Sequence, residues 1–184
     1  YLGSGMIKGI GPHFAKKLVK AFGEEVFDVI ETEPERLREL KGIGPKRIAR
    51  ITSGWADQKA IREIMVFLQS HGVGTSLAVR IFKTYGADAI PIVSDNPYRI
   101  ARDIKGIGFK TADQIAEKLG IEKTAMIRAR AGVSYTLIEA VSEGHCGLPV
   151  DELLPTAEKL LEIPTDILRD ALGLELQDGI IVAD

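Results

Sequence analysis

Four short loops of one kind, Gly-apolar-Gly, punctuate this chain at Gly9-Ile10-Gly11, Gly42-Ile43-Gly44, Gly72-Val73-Gly74 and Gly106-Ile107-Gly108. Their spacings of 33, 30 and 34 residues mark an internal repeat, and repetition constrains a fold more than composition does. The repeated unit is a pair of loops. A shift of 63 places lays Gly9 on Gly72, Ala15 on Ala78, Lys20-Ala21-Phe22-Gly23 on Lys83-Thr84-Tyr85-Gly86, and Pro34 on Pro97. After one inserted residue the shift becomes 64, and Lys41-Gly42-Ile43-Gly44 falls on Lys105-Gly106-Ile107-Gly108.

Each unit reads as helical. Phe14, Leu18 and Phe22 recur at four-residue spacing before Gly23, and Leu77, Ile81 and Tyr85 do so before Gly86. Thr32 or Glu33 before Pro34, and Asn96 before Pro97, read as caps followed by proline at the first helical position. Ile61, Ile64, Met65 and Leu68 form the stripe of a connecting helix, with Trp55 near its start as a core or inter-repeat anchor.

Residues 124–184 have a different grain. Ile127, Ala131, Ile138 and Val141 stripe one long helix. Leu153, Leu154, Ala157, Leu160 and Leu161 stripe a second, and Ile167, Leu168, Ala171, Leu172 and Leu176 a third. Ile180-Ile181-Val182-Ala183 then reads as a strand. The expected fold is all-α: two paired-hairpin units followed by a small winged-helix-like helical domain. The boundaries by repeat are 1–54 for the first pair, 55–122 for the connecting helix and second pair, and 123–184 for the last domain.

Charge divides the chain in the same way. Residues 1–130 hold 22 of the 24 Lys and Arg but 15 of the 26 Asp and Glu, which leaves two cations against eleven carboxylates in the remainder. The basic part suits an anionic polymer; the acidic part would repel one. No apolar run is long enough for a bilayer, so no membrane partner is expected and a reducing cytoplasm fits the single cysteine.

A Gly-apolar-Gly turn between helices leaves the next helix starting at once, with its first N–H groups unpaired and its dipole positive. That is an anion site made of main chain, which holds a phosphate without reading a base. Cations follow each loop in register: Lys16 and Lys17, then Lys46, Arg47 and Arg50, then Arg80 and Lys83, then Lys110 with Thr111. The candidate DNA-phosphate site is therefore Gly9, Ile10, Gly11, Lys16, Lys17, Gly42, Ile43, Gly44, Lys46, Arg47, Gly72, Val73, Gly74, Arg80, Gly106, Ile107, Gly108, Lys110 and Thr111.

These loops, with a small residue four places later at Ala15, Ala78 and Ala112, resemble the helix-hairpin-helix family; the second loop has Ile48 there and Ala49 after it. The resemblance implies DNA-backbone binding and, at some hairpins, a monovalent cation on loop carbonyls. Tyr1-Leu2-Gly3-Ser4-Gly5-Met6-Ile7-Lys8-Gly9-Ile10-Gly11-Pro12 and the run from Ile104 to Asp113 further resemble the hairpin region preceding the motor of RecD/TraA-type bacterial DNA helicases. So do Arg130-Ala131-Gly132 and Glu143-Gly144-His145-Cys146. That resemblance implies a parent that unwinds DNA 5′ to 3′ with ATP and magnesium, serves repair or recombination, and has its motor domain in cis. Single-stranded or forked DNA would be the partner.

The chain itself is expected to be no enzyme. The phosphate-binding loop G-x-x-x-x-G-K-[ST] is absent, because Phe109 separates Gly108 from Lys110-Thr111. Asp28 stands where some DNA glycosylases carry a catalytic aspartate, but its repeat counterpart is Pro91. His13, His71, His145 and Cys146 offer too little for a metal or a nucleophile, and Cys146 reads as a half-buried turn residue. The rival expectation is structural, with the hairpins packed on one another or on a motor domain.

Overall fold

The computed structural model describes all 184 residues and contains eleven α-helices and no strand. They are α1 (Pro12–Phe22), α2 (Val26–Thr32), α3 (Pro45–Asp57), α4 (Lys59–Ser70), α5 (Thr75–Tyr85), α6 (Ala89–Asp95), α7 (Arg99–Asp103), α8 (Phe109–Lys118), α9 (Met126–Ser142), α10 (Val150–Leu161) and α11 (Thr165–Gln177). None is long and apolar enough to cross a membrane. By contact the chain forms two compact units, Tyr1–Ile90 and Pro91–Asp184, with the boundary inside α6.

In the first unit, α1, α2 and α3 close over Phe14, Leu18, Phe22, Ile30, Leu37 and Ile51. Trp55 is 3 % exposed, which makes it a core anchor as expected, but it belongs to the end of α3 and not to the connecting helix. Tyr1 and Phe27 pack on it edge-on or tilted, at 6.4 and 5.2 Å between centroids. The Arg62 guanidinium covers the remaining face at 4.0 Å and donates to the Trp55 carbonyl, which is how a cation can be buried there. The segment from Pro34 is a 3-10 helix, Pro34–Glu39, with no side-chain cap from Glu33. In the second unit Asn96 does not cap a helix: its Oδ1 accepts from the Tyr98 N–H within a turn. Helix α7 begins only at Arg99, with Tyr98 at its N-cap position and no side-chain cap bond.

The acidic segment is a packed trio of α9, α10 and α11, and two expectations about it need correction. Ile138 and Val141 are 62 and 59 % exposed, and α9 instead buries Ala129, Gly132, Val133, Thr136 and Ala140. The small residues let α10 approach so closely that a Cβ on Gly132 would sit 2.4 Å from Leu161 Cδ1. Gly132→Val is accordingly expected to lower stability by about 1–3 kcal/mol through overpacking, read as a lower melting temperature.

The strand at 180–183 does not form, so there is no wing. The Ile180 N–H donates instead to the Glu175 carbonyl while Gly179, at φ +69°, turns the chain. This is a Schellman stop, in which an apolar residue after the glycine packs back on the helix. Ile181 accordingly packs against the core of the trio. Leu160 and Leu176 also face solvent more than their stripes predict, at 44 and 37 %.

Candidate nucleic-acid interface

The four loops share one backbone geometry. The first glycine of each is left-handed, with φ +94° at Gly9 and Gly42, +80° at Gly72 and +81° at Gly106. Only glycine adopts this without strain. The second glycine is the N-cap of the next helix and is extended in every case, as at Gly44 (φ −96°, ψ 169°) and Gly108 (φ −96°, ψ 175°). None of the four helices has a side-chain cap bond. No side chain accepts from their first-turn amides. Pro12 and Pro45 have no N–H, the Arg47 N–H already donates to Gly44 O, and each helix closes its ladder on the glycine, as when Ala15 donates to Gly11 O and Ala112 to Gly108 O.

The central residues have a narrower role. Ile10 and Val73 are each 3 % exposed and Ile107 is 9 % exposed; their N–H groups donate to Ile7, Leu68 and Ile104. These three anchor the turn from within and leave donation to the residues that follow it. Ile43 is half-buried against the core of the first unit. The small position also departs at the second loop: Ile48 is buried and Ala49 exposed, so the larger side chain carries that packing.

Loops one and two, both in the first unit, flank a basic depression. One lobe, of about 360 Å³, is lined by Gly9, Lys46, Arg47 and Arg50. The other, of about 320 Å³, is lined among others by Gly11, His13, Lys17, Lys41 and Gly42, again with Arg47. No carboxylate lines either lobe. Five cations concentrated without counter-charge make a surface of strongly positive potential.

Arg47 differs from its neighbours. Its Nε and Nη2 both donate to the Gly9 carbonyl at 3.3 Å, and its guanidinium lies 4.4 Å over the Phe14 ring. It joins the two loops across 38 residues of sequence, and it remains exposed enough to meet an anion. Lys16, Lys17 and Lys46 are exposed on α1 and α3.

At the third loop, α4 ends at Ser70 and the chain turns through His71 and Gly72, and Arg80 is exposed on α5. At the fourth, Lys110 is exposed and Thr111 half-buried at the start of α8. Asp28 is exposed on α2, away from the residues lining both lobes. Cys146 is fully in the exposed class, not half-buried, because Gly144 carries φ +98° and turns the chain outward after α9.

Sequence reasoning passed over Lys41 as a site residue. A signal was available: Lys8, Lys41 and Lys105 each stand immediately before the first loop glycine, with His71 in the fourth position. Lys41 lines the same lobe as Arg47, which follows its own loop, and Lys17, which follows the first.

Residues 57–147 match the family described as the ATP-dependent RecD2 DNA helicase HHH domain, and residues 5–57 match the SAM-like helix-hairpin-helix tandem. The chain is also 29 % identical over 144 residues to the ATP-dependent RecD2 DNA helicase of Deinococcus radiodurans. That alignment takes in 78 % of this chain and 20 % of the relative, so the chain spans about a fifth of the length of the protein it matches.

Proposed function

We propose that the chain is a helix-hairpin-helix region of the RecD type and that it holds DNA by its sugar–phosphate backbone without reading sequence. The observation that carries this is the second glycine of each loop. Gly11, Gly44, Gly74 and Gly108 have extended angles open to any residue, and a Cβ on any of them would meet no heavy atom within 4 Å. The fold has no steric need of glycine there, and serine or aspartate would cap the helix better. A bare position at a helix start serves a ligand arriving from outside. Main-chain donors then take the phosphate, and Lys17, Lys41, Lys46 and Arg50 add charge around it.

In this reading the chain is a non-catalytic accessory region of an ATP-dependent helicase, with ATP and magnesium at a motor domain elsewhere in the same protein. Repair or recombination on single-stranded or forked DNA, in the cytoplasm, is the setting it fits. A monovalent cation on loop carbonyls would belong to the later hairpins, since Arg47 already occupies the Gly9 carbonyl.

The test is filter binding of the whole chain to single-stranded, duplex and forked DNA over a salt series. With roughly four phosphates held, log affinity for single strands should fall against log salt with a slope near −3. A flat response, or no retention at low salt, would leave the hairpins as packing elements only.

A further inference from the structure

The second unit carries a feature that phosphate binding leaves unused. A groove of about 640 Å³ runs beside the fourth hairpin, walled by Gly108 and Phe109 at the start of α8 and by Tyr135 and Ile138 on α9. That volume lies within the roughly 300–1,000 Å³ of pockets that enclose small organic ligands.

Three aromatic rings are nearly parallel along it. Tyr98 and Phe109 stack at 5.6 Å with planes 17° apart, and Phe109 and Tyr135 at 4.8 Å and 15°. The cluster around Trp55 in the first unit is different: its ring planes cross at 55–84°, the tilted and edge-on packing common in cores. Tyr98 is buried, and its hydroxyl donates to Asp113 at 2.5 Å, which fixes the inner end of the stack. Tyr135 is only half-buried. Ile138, one turn along the same helix, is mostly exposed, so this part of the groove has no cover within the unit.

Charge suits a ring more than an ion. Glu175 and Asp178 face Arg130 across the groove, and Arg130 binds both carboxylates, at 2.6 and 2.5 Å. Ser134 donates to the second oxygen of Glu175. Arg99 and Arg102 also line the groove, both paired with Asp103 at 3.5 and 3.4 Å. At Arg130 the groove thus sets one cation against two carboxylates and keeps hydrogen-bonding edges for a neutral ring.

We propose that this groove takes an unpaired nucleobase, stacked on Tyr135 as a further member of the Tyr98–Phe109 series, with its phosphate beside Gly108. The proposal rests on the phosphate reading above and deepens it, because a base can enter only when it is free of a duplex. Stacking tolerates any base, so sequence remains unread.

The test compares oligodeoxythymidine with an abasic deoxyribose–phosphate oligomer of equal length, on the whole chain. The native chain should bind the base-bearing strand about tenfold more tightly, Tyr135→Leu should abolish that preference, and Tyr135→Phe should keep it. Circular dichroism melting of Tyr135→Leu checks that the unit still folds. Equal binding of both oligomers by the native chain, or an undiminished preference in folded Tyr135→Leu, would overturn stacking while leaving phosphate binding intact; the groove would then fall to a protein partner. Binding of neither oligomer at low salt would overturn the phosphate reading itself.

Discussion

Gly44→Leu combined with Gly108→Leu is expected to cut affinity for single-stranded DNA about a hundredfold with only a modest fall in melting temperature, since leucine is a poorer N-cap than glycine. Both positions are extended, and neither offers a clash to a new side chain, so the fold should accept leucine at each. The leucine would nevertheless stand over the first-turn amides and keep a phosphate away. A hydrogen bond to a charged group contributes about 1.5–3 kcal/mol, so a tenfold to hundredfold loss per blocked site is the right order. Filter binding beside a thermal melt separates the two effects. The first glycines are the poorer choice, because Gly42 and Gly106 carry positive φ and a side chain there would strain the backbone as well. Asp28→Ala should bind like the native chain, since Asp28 lines neither lobe. Unchanged affinity in a folded double variant would remove main-chain donation from the account.

The largest expected effect on stability is Arg128→Ala. Arg128 is 12 % exposed and grips Asp113 with two bonds, Nε to Oδ1 at 2.9 Å and Nη2 to Oδ2 at 3.1 Å. Its Nη1 also donates to the carbonyls of Lys123 and Leu161, both at 2.9 Å. One side chain thereby ties α8 of the fourth hairpin to α9 and to the end of α10. Removing one partner of this partly buried pair leaves two carbonyls short of a donor and Asp113 with only the Tyr98 hydroxyl, at a cost of about 3 kcal/mol. Arg128→Lys should recover little, because a single ammonium cannot reproduce the planar fork. The check is a melt followed by circular dichroism and by tryptophan emission. Trp55, the only tryptophan, lies in the first unit, so its emission should shift less than the ellipticity. Coincident native-like melting by both probes would contradict the assignment.

Several parts of the fold were legible because they depend on local rules. Gly23 and Gly86 stop their helices at nearly identical angles, φ +55° and +59°, as their shared place in the repeat requires. Phe14, Leu18 and Phe22 are buried together on one face of α1, as four-residue spacing dictates. The terminal Ile180-Ile181-Val182 misled, because β-branched composition describes a strand only where another strand exists to pair with it. Here a glycine-ended helix was nearer, and it took the amide.

The basic cleft was half legible. Its lysines follow the loops in register, but the Arg47–Gly9 bond joins residues 38 apart and no periodicity predicts it. The stack of Tyr98, Phe109 and Tyr135 is of the same kind, drawn from the turn before α7, from α8 and from α9.

What the residues determined unaided is the repeat: four glycine turns, each leading directly into a helix, because backbone angles and helix ends obey short-range sterics. What tertiary structure alone decided is which surfaces meet. On α9 the more hydrophobic Ile138 and Val141 were left to solvent, and Gly132 was placed against Leu161. Transfer from water favours burying the larger side chain, but close-packed helices are brought together by the smaller one, and that choice depends on a partner distant in sequence.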